Sequence, residues 1–360
     1  MGLRSNVFVL VPAGVLGLLL IGCSSDSGGR PSDSWNGDAA TDAQPSDAGP
    51  EAQTDAADAA SNCLPVTGAV FAVDTLYFGD MDWEGNVDPT AWRLFGSDLD
   101  GVNSTATSAG LCQPAAGALA EDVYPDGEDG ADNAFGKAVL PLLSTVSPDF
   151  SERVNGSVAT GSFTWLLKLN PFGTQPNQSS VTTKVYAGDS LSAPPRFDGS
   201  DCWPVTPASL EGPEDFDSAK VSFPDGEIVA SRLDTGSPGD LQLAVPISGT
   251  VLRLTAHHAR ITIDFEEEPT RGMISGVVDT DEFIEEARDV LGFLDPTMCS
   301  GPTFDAVAAS IRKASDMMKN GAQDPSATCN GISVGIGFTM GRAGFSGLGS
   351  ASSGGSDPCP

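Results

Sequence analysis

Alternation of apolar and polar residues dominates the middle of the chain and predicts strands. In the run HARITIDF, Ile261, Ile263 and Phe265 share one face, whereas Arg260 and Thr262 share the other. Turn residues separate many such runs, which together predict strands over 68–78, 162–169, 181–187, 218–223, 227–232, 241–245, 250–255, 258–265, 272–278 and 332–338. Short strands at this spacing predict a mostly β domain, either an antiparallel β-sandwich or an open barrel.

A helical period replaces this alternation near the C-terminus. Residues 280–294 place Phe283, Ile284 and Leu291 on one face, and residues 302–319 carry a second apolar stripe. A third, shorter helix is predicted over 133–144. The fold class expected is therefore mostly β, with two or three helices of which the main ones lie near the C-terminus.

A different pattern opens the chain. Arg4 precedes a mostly apolar run over 7–21, which is too short to span a bilayer comfortably but has the length of an export-signal core. The run ends in the four residues LIGC at 20–23, which resemble the lipobox of bacterial lipoproteins. The resemblance implies cleavage before Cys23 and lipidation of that cysteine, and Ser24 in the next position favours the outer membrane.

These patterns divide the chain into three parts. Residues 1–22 form the lipoprotein signal peptide, and residues 23–62 form the lipidated cysteine and an acidic tether. The tether is almost entirely Ser, Asp, Ala, Gly and Pro, so it cannot bury enough apolar surface to offset its ordering entropy and is expected to be disordered. Residues 63–360 form a β-rich, disulfide-bonded domain.

The charge balance restricts the partners. The chain carries 49 acidic and 18 basic residues, a formal net charge of −31. Binding to nucleic acid needs a basic face for phosphate contacts, so that partner is excluded. The partners expected are the membrane, through the lipid anchor, and a protein or glycan ligand.

Six cysteines remain in the domain, and an even number in an exported chain predicts three disulfides. No two of them form a Cys-x-x-Cys pair, which argues against a zinc knuckle. Six cysteines allow 15 pairings, among which the sequence does not choose; the pairing that we predict is Cys63–Cys112, Cys299–Cys329 and Cys202–Cys359, with the second pair stapling the helix over 302–319.

The segment FGDMDWEGNVDPTAW at 78–92 resembles a calcium loop. Asp80, Asp82, Glu84 and Asp88 occupy positions 1, 3, 5 and 9, and glycine stands at position 6. Position 12 departs from the pattern because Ala91 replaces the bidentate carboxylate. These four carboxylates are the predicted metal ligands, and calcium is the predicted cofactor.

Two further oxygen-rich segments follow this loop. One holds Asp98 and Asp100, with Asn103 nearby, and the other is PDGEDGADN at 125–133. Either segment could complete the site or form another. The alternative is that acidic chains contain Asp-Gly turns by chance.

Catalytic arrangements are largely missing from the sequence. The two histidines, His257 and His258, are adjacent on a predicted strand, so they point to opposite faces and are poorly placed to hold one metal. We therefore assign no catalytic residue. Paired carboxylates for glycan hydrolysis stay open, because the candidates are too many to rank.

The lipobox, the Asp/Ala tether and the motifs LYFGD, DLDG, YPDGEDGADNAFGK and GPTF together resemble outer-membrane lipoproteins of myxobacteria and their relatives. The resemblance implies an outer-membrane location, on either face, and no particular activity. A long tether fits a non-enzymatic surface binding or adhesion role. The alternatives are an anchored hydrolase acting on glycans, marked by a deep cleft with paired carboxylates or an Asp–His pair, and a lipid carrier, marked by a large apolar pocket.

Overall fold

A computed structural model describes residues 63–212, 215–236, 238–247, 249–350 and 358–359. The predicted signal peptide, the lipidation site Cys23 and the tether lie outside the described residues. Strands make up most of the regular structure, as the alternation predicts.

Ten strands form one mixed sheet that is sandwich-like. The strands are β1 (Ala69–Tyr77), β2 (Thr164–Asn170), β3 (Gln178–Gly188), β4 (Asp198–Val205), β5 (Val221–Val229), β6 (Arg232–Asp234), β7 (Gly239–Ile247), β8 (Thr250–Asp264), β9 (Thr270–Asp279) and β10 (Gly331–Leu348). All neighbouring strands are antiparallel except β4 and β10, which run parallel. The pairings lead from β1 through β2, β3, β5, β6, β8, β9 and β10 back to β1, while β7 pairs with β8.

Strand boundaries differ from the sequence expectation in the middle of the chain. The turn predicted at Pro224-Asp225-Gly226 lies inside β5. Glycine is needed there because a β-carbon on Gly226 would lie 2.6 Å from the carbonyl oxygen of Val181 on β3. Strand β8 runs unbroken where the pattern predicts two strands, with a register shift between His257 and Arg260.

Five α-helices accompany the sheet in the described part of the chain. They are α1 (Ala120–Val123), α2 (Leu140–Val146), α3 (Phe150–Ala159), α4 (Thr280–Leu294) and α5 (Pro302–Lys313). Helix α4 has the predicted bounds, and the Asp279 carboxylate caps it by accepting a hydrogen bond from the backbone N–H of Asp281. Helix α5 is shorter than predicted, because the carboxylate of Asp316 bonds to Ser333 on β10 and the chain leaves the helix to reach it.

Strand β10 is buried on both faces, and this double burial positions the candidate site. Ile332, Val334 and Ile336 point into the large hydrophobic core with residues of β7, β8 and α4. The opposite face carries Gly331, Ser333, Gly335, Gly337 and Thr339, all buried. An irregular stretch between β1 and α2 covers this small-residue face.

Small side chains allow that stretch to approach the strand closely. A β-carbon on Gly335 would lie 2.4 Å from the carbonyl oxygen of Phe95, and one on Gly337 would lie 2.4 Å from the Phe95 ring. Contacts this short are sterically impossible for any other residue without a backbone shift. The glycines of β10 therefore hold the segment around Phe95 directly against the sheet.

Three disulfides are present, as predicted, but the predicted pairing of the six cysteines is wrong. The bridges are Cys63–Cys202, Cys112–Cys329 and Cys299–Cys359. No bridge between Cys299 and Cys329 staples α5.

Contacts between distant segments explain the observed pairing. Leu64 donates its backbone N–H to Phe345 of β10, which runs beside β4, so Cys63 meets Cys202. Gln113 pairs with Thr328, which brings Cys112 to Cys329. The C-terminal Cys359 returns to α4, where Gly292 leaves room for both sulfurs of the third bridge.

Candidate metal centre

The segment between Gly96 and Asn133 folds against the small-residue face of β10. Asn133 fixes one end: its amide nitrogen donates to the carbonyl oxygens of Trp92 and Gly335, and its amide oxygen accepts from the N–H of Gly335 at 3.1 Å. The N–H of Ala134 donates to the Ser333 hydroxyl at 2.8 Å. These bonds hold the neighbouring Asp132 at a defined place beside the strand.

Three carboxylates converge at this place. Asp98, Asp100 and Asp132 each offer an oxygen, and these oxygens all lie within 4.8 Å of one another. Calcium binds oxygen ligands at about 2.3–2.6 Å, so two ligands of one ion lie up to about 5 Å apart. The separation of the three oxygens therefore suits a single calcium ion.

Hydrogen bonds orient each of the three carboxylates. Asp98 accepts the N–H of Gly101 at 2.6 Å, and Asp132 accepts the N–H of Leu99 at 2.7 Å. Asp100 accepts the side-chain amide of Gln323 at 2.7 Å. A carboxylate oxygen has more than one lone pair, so these bonds leave acceptor capacity for a cation.

Two more carboxylates lie beside the three. Burial, followed by the charges of Asp316 and Asp100, raises the pKa of Asp132 to about 9. Burial, followed by the charges of Asp100 and Asp316, raises the pKa of Asp126 to about 7. Burial also raises the pKa of Asp316 to about 6, against the hydrogen bonds from Ser333.

Mutual repulsion among neighbouring carboxylates, of which Asp98 is exposed and Asp132 is buried, is the electrostatic problem of this site. Lys137 is nearby, but its ammonium donates to the carbonyl oxygens of Val123 and Pro125 and lies 5.1 Å from the Trp92 ring centre. A divalent cation would neutralise the carboxylates where they converge. The donors are all hard oxygens, so the chemistry favours calcium or magnesium over transition metals.

The predicted calcium loop has a different geometry. Asp82 accepts hydrogen bonds from the backbone and side chain of Asn86, and Asp88 accepts the N–H and hydroxyl of Thr90 at 2.8 Å. Glu84 lies 3.9 Å from Arg271. Asp80 is half-buried, and its Oδ1 has no hydrogen-bond partner.

Within the described part of the chain, the group of three carboxylates in ion reach does not include Asp80, Asp82, Glu84 or Asp88. Side-chain capping closes this loop as a turn, with Met81 bridged to Val87. The assignment of metal to these four residues stays a prediction, and the geometry favours the site at Asp98, Asp100 and Asp132.

Sequence reasoning named both oxygen-rich segments of this site but had no means of joining them. The sequence did not indicate Asp316 as a site residue, because it lies among apolar residues that continue the pattern of α5. The available signal of a functional residue was an acidic side chain among apolar neighbours, since Asp316 lies between Ala314 and Met317, both of which are buried.

An Asp–His pair is also present, between β7 and β8. Nδ1 of His257 lies 3.0 Å from Asp240 of β7, and Nε2 lies 3.3 Å from Glu282 of α4. Both ring nitrogens are therefore used by carboxylates, and neither is free to take a proton from a nucleophile. His258 is exposed and does not join the group.

His257 should make stability depend on pH. Burial lowers its pKa, but the hydrogen bonds to Asp240 and Glu282 outweigh that effect and the net pKa is raised. The stabilisation is therefore complete below about pH 6.5, the ordinary pKa, and is lost as pH rises through the folded-state pKa. His257→Gln should lower the melting temperature more at pH 5.5 than at pH 8.5. His258→Gln is the control, and an equal loss from His257→Gln at both pH values would contradict the prediction.

Comparison with known proteins finds no match to this chain among family models, curated proteins or solved structures. The function must therefore be argued from the residues themselves. Of the helices in the described ranges, none has both the length and the apolar character required to cross a membrane.

Proposed function

We propose that this chain is a lipid-anchored protein of the cell envelope, placed at the outer membrane. Its β domain binds one calcium ion and serves a non-enzymatic surface binding or adhesion role. The convergence of Asp98, Asp100 and Asp132 is the observation that carries the calcium part of the proposal. Calcium binding by the full-length chain tests it, and replacing Asp98 and Asp100 with asparagine should remove that binding.

Calcium would have a structural task in this domain. Residues 78–133 contain only short helical turns, yet they cover the small-residue face of β10. A cation bridging Asp98 and Asp100 to Asp132 would join the middle of this irregular stretch to its C-terminal end. Order in the stretch would then depend on calcium, which extracellular binding modules can draw from millimolar surroundings.

Two alternatives receive less support from the geometry. A glycan hydrolase that uses an Asp–His pair would need a histidine nitrogen free to act as a base, whereas both nitrogens of His257 face carboxylates. The paired-carboxylate form of the hydrolase stays an alternative, because Asp74 and Glu268 line one cleft. A lipid carrier would need a large apolar cavity, whereas the apolar cavity between α2, α4 and β8 has a volume of about 30 Å³ and the cavity of about 520 Å³ beside β7 and β8 is also lined by Lys220, Asp240 and Arg253. A binding role requires neither feature.

The lipid anchor rests on the lipobox and predicts a simple result. Cells expressing the full-length chain with Cys23→Ala should incorporate no labelled palmitate into the protein, because the acyl-accepting thiol is gone. Ser24→Ala, which keeps the thiol, is the matched control and should label normally. Equal labelling of the Cys23→Ala protein would refute the anchor without touching the calcium proposal.

A further inference from the structure

A wide cleft of the domain lies at one end of the closed sheet. It has a volume of about 700 Å³, and the loops after β2 and β8 wall it. Clefts of about 300–1,000 Å³ are the size at which small ligands are held. Neither the metal centre nor the His257 group contributes a residue to its lining.

An arginine in this cleft is held in place by rings. The guanidinium carbon of Arg342 lies 4.5 Å from the ring centre of Phe71, its cross-strand neighbour, and 4.9 Å from that of Phe172. Phe265 packs on both rings, at 5.9 and 5.1 Å between centroids. Stacking fixes the plane of the guanidinium while leaving its edge of N–H donors available.

Two carboxylates share the cleft with Arg342 but do not pair with it. Asp74 and Glu268 both line the cavity. No salt bridge within 4.0 Å joins Arg342 to any carboxylate in the described ranges. Asp74 instead accepts the hydroxyl of Thr339, and Glu268 stands exposed at the rim.

Because Arg342 and the two carboxylates share one cleft without pairing with each other, a ligand that carries both a negative and a positive group could pair with all of them. We propose that this cleft binds a small zwitterion with an apolar side chain, of the kind an α-amino acid or the end of a short peptide presents. Its carboxylate pairs with Arg342, its ammonium pairs with Asp74 and Glu268, and its side chain packs on Phe172 and Phe265. A bidentate carboxylate matches the fork of the guanidinium.

Net charge favours this class over the anionic alternative. The chain carries −31, so a polyanion such as a uronic acid chain would be repelled on approach, whereas a zwitterion is neutral overall. The carboxylates of Asp74 and Glu268 can also accept hydrogen bonds from an ammonium, because a carboxylate oxygen has more than one lone pair. The inference rests on the proposed binding role and names its ligand class.

Calorimetric titration of the calcium-loaded full-length chain at pH 6, where the α-amino groups of the probes are protonated, tests the proposal with four phenylalanine probes and with galacturonate as the anionic comparison. L-phenylalanine and the dipeptide Gly-Phe carry both charges, and binding of either one identifies the free or the peptide source. L-phenylalaninamide lacks the carboxylate, and N-acetylphenylalanine lacks the ammonium. Each single deletion should weaken binding about tenfold or more, because it leaves a charged partner without its hydrogen bonds.

Single-residue variants show which side chain is responsible for each loss of binding affinity. Arg342→Gln should bind L-phenylalanine and its amide equally, and Glu268→Gln should reduce the penalty for N-acetylation. Glu268 is exposed, so this variant keeps the test valid if Arg342→Gln fails to fold. Arg253→Gln, which lines a second cavity of about 520 Å³, is the control and should bind like the wild type.

Three outcomes would overturn the proposal. The first is that neither zwitterion gives heat at 10 mM probe, which is about a hundredfold excess over an expected Kd of 0.1 mM. The second is that all four probes bind equally. The third is that galacturonate binds more tightly than L-phenylalanine. Calcium binding and palmitate labelling are measured separately. A chain that keeps both but binds no zwitterion would lose this inference and not the proposed function.

Discussion

Replacing Cys112 and Cys329 together with alanine should lower the free energy of unfolding by about 2–5 kcal/mol. This bridge spans 217 residues, the longest separation among the three disulfides, so its loss releases the most chain entropy in the unfolded state. It also closes the pairing of Gln113 with Thr328, through which the irregular stretch meets the segment before β10.

Urea unfolding of the oxidised protein measures this effect, and a second bridge supplies the control. Cys299–Cys359 spans 60 residues, so its removal should cost about 1 kcal/mol less by loop entropy alone. The two double-alanine variants contain no free cysteine from a broken pair. A larger loss from removing Cys299–Cys359 would show that local packing, not loop closure, dominates the contribution of these bridges.

Calcium should raise the melting temperature of the full-length chain. An ion that binds the folded state alone adds stability of RT ln(1 + [L]/Kd), about 2.7 kcal/mol at a hundredfold excess over Kd. Magnesium should do less, because it gives up its water reluctantly and demands a tighter octahedron. Removal of calcium with a chelator should reverse the gain.

Two double variants show which carboxylates are responsible for the effect of calcium on the melting temperature. Asp98→Asn with Asp100→Asn should abolish the calcium response, whereas Asp82→Asn with Asp88→Asn should preserve it. Without calcium, the Asp98/Asp100 variant should be at least as stable as the wild type, because it removes like charges beside Asp132 and Asp126. Loss of the response in the Asp82/Asp88 variant instead would return the metal to the loop at 78–92.

Periodicity predicted those parts of the fold in which one face of an element meets one core. Helix α4 and the apolar face of β10 follow directly from the spacing of Ile332, Val334 and Ile336 and of the stripe over 280–294. The other face of β10 could not be anticipated, because glycine and serine there are buried by chain more than 190 residues away, as the bond between Ala134 and Ser333 shows.

The candidate site was likewise predictable from the sequence in part only. Local composition marked Asp98, Asp100 and Asp132 as oxygen-rich turns, because acidic residues and glycine cluster there. Their convergence depends on non-local bonds, such as those from Asn133 to Gly335 and from Gln323 to Asp100. The cysteine pairing failed for this reason as well, since order along the chain carries no information on which strands lie side by side.

The most direct test of the central claim is the number of calcium ions bound per chain. Equilibrium dialysis of the full-length protein, followed by elemental analysis, should give one tightly held calcium ion in the wild type and in the Asp82/Asp88 asparagine variant. The Asp98/Asp100 asparagine variant should hold none. Equal calcium in all three proteins, or none in the wild type at millimolar ion, would contradict the assignment of a calcium centre to Asp98, Asp100 and Asp132.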